Sequence, residues 1–201
     1  MGIILASQSP RRKELLKKIN LRFKVIKPDI NEKGLHTQNH PPHRFCMHLA
    51  KKKCEVVANK FKNSLVIGAD TIVYHNNKIL GKPRNKSEAV LHLNALSGDT
   101  HKVYTGVSII HKNKNINTLF YEKTFVTFNT LDKNDIEFYV THHNPYDKAG
   151  SYGIQDWSII FAQKINGCFN NVVGFPISKF YKLSMDNIVI KQILKANQID
   201  V

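Results

Sequence analysis

What the sequence lacks narrows its class. No apolar run approaches the about 18 residues that a membrane span needs. Met1 leads directly into the strand-like Ile3-Ile4-Leu5, without the basic and apolar regions of a secretion signal. The three cysteines, Cys46, Cys54 and Cys168, are an odd number without CxxC spacing, which favours neither a zinc site nor a disulfide framework. We therefore expect a cytoplasmic protein with reduced, mostly buried cysteines and no membrane partner.

Acidic residues are also scarce. The chain has 30 Lys and Arg against 15 Asp and Glu, a formal net charge of +15. Such a balance suits a nucleic-acid partner or an anionic substrate. The lysines occur with asparagines along nearly the whole chain, which is typical of a solvated surface, and no RNP-type string or zinc-finger spacing occurs. We expect no specific nucleic-acid partner, although a basic nucleic-acid-binding protein remains an alternative.

The length of 201 residues and the 42% hydrophobic content are sufficient for a substantial core, and we expect a single domain over 1–201. Period-two patterns predict strands at about 3–6, 23–26, 64–74, 101–111, 116–129 and 159–165. Helical periodicity predicts helices at about 10–19, 42–61, 86–96, 132–141 and 176–185. This order predicts an α/β fold with a partly antiparallel sheet.

The stretch "LASQSPRRKELL" predicts a sharp turn from a strand into a helix. Ser9 is a good N-cap, and Pro10 suits the first helical position. A helix N-terminus attracts phosphate, and Arg11 and Arg12 add guanidinium groups that match phosphate oxygens. The alternative is an ordinary capped helix with solvated arginines. The missing GxxxxGK[ST] pattern argues against a Walker-type nucleotide site.

The predicted helix 42–61 carries a lysine on its apolar face. The residues of this face are Phe45, Cys46, Leu49, Ala50, Val56 and Val57. Lys53 falls near its centre, so its ammonium must either reach water along its aliphatic stem or meet an anion. Four histidines at 36, 40, 43 and 48 precede or begin this helix, and we interpret them as loop and helix-start residues instead of a metal site.

Asp70 stands in the middle of the apolar strand "LVIGADTIVY". An unpaired carboxylate there would be costly, so we expect a cation, a metal or a hydrogen-bond donor beside it, a structural salt bridge being the alternative. An Asn-Asn-Lys turn predicts a hairpin that returns Lys82 to the same region, the alternative being an exposed turn residue. Gln155 lies in the glycine-containing loop 144–157 and could bind the edge of a base, unless this is a plain surface loop.

The ordered blocks "LASQSPRRKELL", "LAKKK", "GADTIV", "GKPRN", "LSGDTHKVYTGV", "DKAGSYGIQ" and "KINGCFNNVVGFPIS" resemble the Maf family of nucleoside triphosphate pyrophosphatases. The resemblance extends from the N-terminus to about residue 180. It implies an α/β fold like that of the inosine triphosphate pyrophosphatases, with a mixed twisted sheet, flanking helices and two lobes around a cleft. It further implies hydrolysis of a nucleoside triphosphate to the monophosphate and pyrophosphate with Mg²⁺ or Mn²⁺.

The resemblance also implies roles for individual residues. The catalytic set it implies is Asp70, Lys53, Lys82 and Glu32, of which Asp70 and Glu32 would hold the metal. The substrate-binding set is Ser7, Ser9, Arg11, Arg12, Thr71 and Gln155. At Arg12, Thr71 and Gln155 the chain is similar to the branch that prefers dTTP and UTP. Asp156 and Trp157 depart from the small residues usual after that glutamine, which leaves the fine base preference open.

We expect water to attack the α-phosphorus with metal assistance, with Asp70 as the base or a metal ligand. Lys53, Lys82 and Arg12 would neutralise charge on the pyrophosphate leaving group. A non-catalytic Maf-like regulator of septum formation is the remaining alternative. The sequence leaves open the physiological nucleotide, which includes modified pyrimidines, and whether the chain forms a homodimer.

Overall fold

A computed structural model describes residues 1–31 and 41–198 of the chain. The strands are β1 (Ile3–Ala6), β2 (Lys24–Val25), β3 (Leu65–His75), β4 (Lys78–Leu80), β5 (Thr100–His111), β6 (Ile116–Phe128) and β7 (Ala162–Asn166). The α-helices are α1 (Pro10–Lys17), α2 (Pro42–Lys60), α3 (Lys86–Leu96), α4 (Lys133–His142), α5 (Phe169–Val173), α6 (Ile177–Asp186) and α7 (Ile188–Lys195). Short 3₁₀ helices span Lys112–Lys114, Pro145–Asp147, Ala149–Ser151 and Trp157–Phe161.

The strands form a seven-stranded mixed sheet in the order β2-β1-β3-β5-β6-β7, and β4 also pairs with β3. β1 lies parallel to both β2 and β3, whereas β3–β4 and β6–β7 are antiparallel pairs. The predicted α/β class with a partly antiparallel sheet is therefore confirmed. None of the helices in the described chain has the length and the hydropathy needed to cross a membrane.

The described chain divides into two compact units. The first unit comprises Met1–Asp70, Thr105–Glu122 and Gly174–Val201. Its core includes Ile4, Val57 and Val66, which come from β1, α2 and β3. These residues are buried because α2 lays its apolar stripe on the neighbouring strands. Cys46 and Cys54 lie in this buried stripe as free thiols, as predicted.

The second unit comprises Thr71–Tyr104 and Lys123–Val173. Its core includes Leu93 of α3, Tyr139 of α4, Phe128 of β6 and Phe161, all at most 1% exposed. The predicted hairpin is confirmed, because β3 and β4 pair directly from His75 to Lys78. Asn76 and Asn77 both have positive φ, at 44° and 61°, as a two-residue hairpin turn requires.

One predicted strand needs a corrected boundary, and two helices were not predicted. The strand expected at 159–165 is β7, and a 3₁₀ helix at Trp157–Phe161 precedes it. The 3₁₀ helix forms because the Asp156 carboxylate caps it and accepts a hydrogen bond from the Ser158 amide at 3.0 Å. α7 was not predicted, although Asn187 is an N-cap for it and accepts from the Val189 amide at 3.1 Å. α5 was also not predicted.

Candidate active site

The turn between β1 and α1 is held by two serine side chains. Ser9 caps α1, and its hydroxyl accepts from the Arg12 amide at 3.5 Å. The buried Ser7 hydroxyl accepts from the Ser9 amide and from Arg12 Nη1, both at 3.2 Å. These bonds occur because β1 ends at Ala6 and Pro10 starts the helix at once. The predicted strand-to-helix turn is confirmed.

Arg12 is anchored on both sides of this turn. Besides the Ser7 contact, its Nε donates to the Gly174 carbonyl at 2.9 Å. Gly174 follows α5 directly and belongs to the same unit as the turn. The guanidinium is therefore held half-buried beside the first turn of α1, and it is not the freely solvated arginine of the alternative hypothesis. The sequence offered no spacing signal for the Gly174 contact, because 162 residues separate the two partners.

Lys53 and Asp70 form a buried ion pair. Lys53 Nζ lies 2.6 Å from Asp70 Oδ1, and each side chain is only 11% exposed. The ammonium of Lys53 meets an anion, as one of the two sequence hypotheses held, and the carboxylate of Asp70 meets a cation. Lys53 lies on the buried face of α2, but Cys54 and Ala58 also belong to that face, and Val56 is only half-buried.

Two glycines allow α2 to lie close enough for this pair to form. A Cβ on Gly68 would lie 2.7 Å from the Ala50 carbonyl oxygen and 2.8 Å from Cys54 Cβ. A Cβ on Gly106 would lie 2.6 Å from the backbone of Cys46. No larger residue fits at either position without moving the helix backbone. The glycines therefore determine the height of Lys53 above the sheet.

The β1–α1 turn and the ion pair lie at neighbouring strands of the sheet. Ala6 is the last residue of β1 and pairs with Gly68 of β3. Ser7, the residue after β1, therefore lies near the part of β3 that runs from Gly68 to Asp70. Parallel neighbouring strands bring their carboxyl ends to one edge, where ligands bind in open α/β sheets. Ser7, Ser9 and Arg12 therefore follow β1 at the same edge of the sheet as Asp70 of β3, which pairs with Lys53.

Cys46 lies close to this ion pair. Its burial, and secondarily the Asp70 carboxylate, raise the pKa of the Cys46 thiol above its usual range. Burial also raises the pKa of the Cys54 thiol to about 12. Neither thiol is ionised near neutral pH, so neither is a nucleophile in the candidate site.

Three predicted site residues belong to the second unit. Thr71 follows Asp70 on β3 and is half-buried, whereas Lys82 and Gln155 are exposed. The segments of Lys82 and Gln155 are joined, because the Gly150 amide donates to the Gly81 carbonyl at 3.0 Å. Whether Lys82 and Gln155 approach a substrate remains a prediction.

A histidine also contacts the Gln155 loop. His92 Nδ1 of α3 lies 2.8 Å from the hydroxyl of Ser151, a buried residue with φ of 67°. The sequence analysis missed this contact. A histidine on an amphipathic helix carries no local signal of its partner, and 59 residues separate the two.

Asp156 and Trp157 hold the end of the same loop against α4. Asp156 Oδ2 accepts from the Tyr139 hydroxyl at 3.2 Å and lies 3.4 Å from Lys148 Nζ. Trp157 stacks on His143 with ring centroids 5.7 Å apart. Asp156 and Trp157, which stand where the family usually has small residues, therefore anchor the segment that follows Gln155.

Some of the remaining predicted residues are described by the structure and others are not. Arg11 is half-buried in the first turn of α1. Glu32, His36 and His40 lie outside the described residues. His43 stacks on Tyr121 with ring centroids 4.8 Å apart, and His48 is exposed. Within residues 1–31 and 41–198, no group of three His, Cys, Asp or Glu side chains is arranged to hold a metal ion.

Residues 2–186 match the family model described as Maf-like protein. A dTTP/UTP pyrophosphatase of Carboxydothermus hydrogenoformans is 44% identical over 182 residues, which cover 90% of this chain and 96% of that protein. One of Thermosipho melanesiensis is 45% identical over 190 residues, covering 94% and 100%. One of Bacillus anthracis is 48% identical over 181 residues, covering 90% and 92%.

Among solved structures, a HAM1 protein from Coxiella burnetii is similar in fold. The TM-score is 0.51 at 16% identity, and the match covers 93% of this chain and 100% of that chain. At this identity the likeness concerns the fold alone, and it agrees with the predicted mixed sheet with flanking helices.

Proposed function

The chain belongs to the family of Maf-like proteins, and on this premise we propose that it is a nucleoside triphosphate pyrophosphatase that hydrolyses dTTP and UTP. The products would be the nucleoside monophosphate and pyrophosphate. The match covers 96% and 100% of the two relatives that carry this name, so the proposal rests on nearly their whole length. The pyrimidine preference is further supported by Arg12, Thr71 and Gln155, the residues at which the sequence resembles the dTTP and UTP branch.

The observation that carries the proposal is the pairing of Lys53 with Asp70 beside the α1 turn. A cation, a carboxylate and a guanidinium at a helix N-terminus are the groups that phosphoryl chemistry needs. If the ion pair had only a structural role, there would be no reason for Arg12 to be held in place by Gly174 as well as by Ser7. Nor would there be a reason for Ser7 to follow β1 close to the point where β3 reaches Asp70.

Each residue then has a defined task. Asp70 accepts a proton from the water that attacks the α-phosphorus, and Lys53 holds the carboxylate in place through the 2.6 Å contact. Arg12 and the first turn of α1 bind phosphate oxygens. Lys82 offsets the charge that develops on the departing pyrophosphate. General base catalysis of this kind contributes about 10²- to 10⁴-fold in rate.

The carboxylates proposed as metal ligands, Asp70 and Glu32, suit a cation that arrives bound to the substrate. Mg²⁺ commonly uses one or two carboxylates together with substrate phosphates, instead of a complete protein cage. Asp70 uses Oδ1 for Lys53, and its second carboxylate oxygen would be offered to such a cation. Asp70, with Glu32 as a second candidate, would hold Mg²⁺ or Mn²⁺. When bound, the cation would neutralise phosphate charge and polarise the phosphorus.

We also propose that the protein acts in the cytoplasm. Cys46, Cys54 and Cys168 are all free thiols, which agrees with a reducing compartment.

The test is a screen of the purified protein against canonical and modified nucleoside triphosphates, with Mg²⁺ or Mn²⁺. We expect pyrophosphate release with dTTP and UTP well above that with purine nucleotides. Release of single orthophosphates would contradict the proposed reaction. A clear purine preference would leave the reaction intact and contradict only the pyrimidine preference.

Gln155→Ala sharpens the specificity part of the proposal. We expect the ratio of kcat/KM for dTTP over a purine triphosphate to fall about tenfold, because a lost hydrogen bond to a base is worth about 1–3 kcal/mol. Gln163→Ala is the matched control, since Gln163 is an exposed glutamine on β7. Equal effects of the two substitutions would remove Gln155 from base recognition.

A further inference from the structure

The loop that carries Gln155 contains a serine in an unusual backbone conformation. Gly150 and Ser151 are consecutive residues with positive φ, at 66° and 67°. Glycine adopts this conformation freely, whereas a residue with a Cβ adopts it at a cost and keeps it only where its surroundings hold it. Ser151 is also completely buried. Because glycine suits this backbone better, the reason for a serine lies in its side chain.

The Ser151 hydroxyl is bound by a histidine from a different element. His92 of α3 places its Nδ1 2.8 Å from Ser151 Oγ. Burial lowers the pKa of the His92 imidazole below its ordinary value, partly opposed by the Glu88 carboxylate. The ring is therefore neutral near pH 7, and it holds the hydroxyl through a hydrogen bond and not through a charge. Since α3 is a regular helix of 11 residues, it provides a fixed support for this bond.

Gly150 attaches the same point of the loop to two strands. Its amide donates to the carbonyl of Gly81, the residue after β4, at 3.0 Å. A Cβ on Gly150 would lie 2.9 Å from the side chain of Val73 on β3, so only glycine allows this close approach. The backbone at Gly150 and Ser151 is thus held from α3, from β3 and from the end of β4, all within the second unit.

A single residue separates Ser151 from the turn that presents Gln155. This turn is closed by the Asp156 amide, which donates to the Gly153 carbonyl at 2.9 Å. The Ser158 hydroxyl also donates to that carbonyl at 2.9 Å and accepts from the Gly153 amide at 3.1 Å. Gln155 is exposed, whereas every residue from Ser151 to the one before it is buried. A turn bonded in this way moves as one body, so the direction of Gln155 follows the backbone direction at Ser151.

We propose that His92 is a positioning residue for base selection. Through Ser151 it fixes the direction in which the turn projects Gln155 toward the base of the nucleoside triphosphate. His92 itself touches no reacting atom, so its loss should affect the choice of base more than the chemical step. This inference rests on the proposed function, and it adds a residue to which the family resemblance assigns no role.

The experiment compares kcat/KM for dTTP with kcat/KM for dATP, following pyrophosphate release. His92→Leu removes the bond to Ser151. His92→Asn is the conservative variant, because an asparagine amide can replace the Nδ1 group as a hydrogen-bond partner. His142→Leu is the matched control, since this exposed histidine of α4 bonds a carbonyl of its own helix, that of Phe138, at 2.8 Å.

For His92→Leu we expect the ratio of kcat/KM for dTTP over dATP to fall about three- to tenfold, and no further than for Gln155→Ala. The KM for dTTP should rise, whereas kcat should change by less than about twofold. His92→Asn should recover most of the ratio, and His142→Leu should leave it unchanged. In the Gln155→Ala background, His92→Leu should lower the ratio no further, because residues that act through one contact are not additive.

Two substitutions of Ser151 separate selectivity from stability. Ser151→Gly and Ser151→Ala both remove the hydroxyl, but only glycine relieves the cost of the positive φ. We expect the same fall in the dTTP/dATP ratio for both variants, although urea denaturation should show Ser151→Gly to be the more stable. A ratio that follows stability, normal in Ser151→Gly and low in Ser151→Ala, would reduce the contact to a structural one and overturn the proposal.

Amide hydrogen exchange tests the same contact without a nucleotide. Exchange within 150–156 should be about fivefold faster or more in His92→Leu, with exchange in α4 unchanged. An unchanged exchange rate, or an unchanged ratio of kcat/KM in His92→Leu, would overturn the proposal while leaving the proposed hydrolysis intact. If the wild type released no pyrophosphate, the proposed function itself would be contradicted, and the exchange rates alone would decide whether His92 holds this loop.

Discussion

Two acid–base pairs involve strand β3, one in each unit, and they differ in exposure. In the first unit, the Lys53 and Asp70 side chains are each 11% exposed. In the second unit, the His75 side chain is 5% exposed, but that of its partner Asp99 is 55% exposed. Both contacts are short, at 2.6 and 2.8 Å.

The difference in exposure indicates in which pair the stability of the fold depends on both charges being present. Two buried charges compensate each other's desolvation, so neither can be removed alone without leaving an isolated charge in the core. An exposed carboxylate is solvated and screened whether or not it is paired. We therefore expect the Lys53–Asp70 pair to respond strongly to substitution and the His75–Asp99 pair to respond weakly.

Lys53→Met should give the largest effect on stability. It leaves the Asp70 carboxylate buried without its cation, and we expect a loss of about 3–5 kcal/mol in the free energy of unfolding. Urea denaturation measures this change. The double variant Lys53→Met/Asp70→Leu should recover most of the stability, because apolar side chains replace the pair, yet pyrophosphate release should remain lost. A loss below about 1 kcal/mol in the free energy of unfolding of Lys53→Met would mean that water screens the Lys53–Asp70 pair as it screens the His75–Asp99 pair.

Asp70→Asn should lower kcat by about 10² or more, equivalent to about 2.7 kcal/mol, because the amide can neither accept the proton nor hold a metal well. Steady-state pyrophosphate release measures this. Asp99→Asn is the matched control, since it makes the same chemical change in the exposed pair and should leave kcat unchanged. Near-normal turnover of Asp70→Asn would exclude Asp70 from the chemistry.

Gly68→Ala tests how the buried pair is positioned. The added Cβ would meet the backbone oxygen of Ala50 at 2.7 Å, so α2 must shift, at a cost of about 1–3 kcal/mol. We expect reduced turnover as well, because Lys53 moves with the helix. Gly2→Ala is the control, since a Cβ there meets nothing within 4 Å. If the two substitutions have equal effects on unfolding and turnover, the close approach at Gly68 does not matter.

Asp99→Asn should have the smallest effect on stability. The hydrogen bond with His75 lowers the pKa of the Asp99 carboxyl below its ordinary value. A lowered pKa stabilises the fold above the unfolded value of about 3.9, and this contribution is lost as the pH falls through the folded value. We expect a cost below about 1 kcal/mol near pH 7 that disappears on acidification, once the carboxyl is protonated in the folded state as well. A cost that grows on acidification would contradict this assignment.

Local features of the fold were predictable from neighbouring residues. The α1 cap at Ser9 and the hairpin at Asn76 and Asn77 depend on short-range geometry, and both were predicted. The strand expected at 159–165 was wrong in its first half. There the Asp156 cap competes with the strand tendency of the apolar residues, and the 3₁₀ helix prevails.

The candidate site was predictable in its members but not in its contacts. An apolar stripe around Lys53 and an apolar strand around Asp70 each indicated a missing partner, and burial requires that one exist. Neither pattern named the other residue, since 17 positions separate them. The anchoring of Arg12 at Gly174 and of Ser151 at His92 had no signal in the sequence at all.

The sequence by itself determined the family, the class of chemistry, the caps and turns, and which charged residues lie on apolar faces. Backbone geometry and side-chain periodicity act over a few residues, so a single chain displays them directly. The tertiary structure alone decided that Lys53 pairs with Asp70 and that Arg12 donates to the Gly174 carbonyl. Those contacts depend on how closely α2 lies on the sheet and on strand register, which arise only when distant segments pack together.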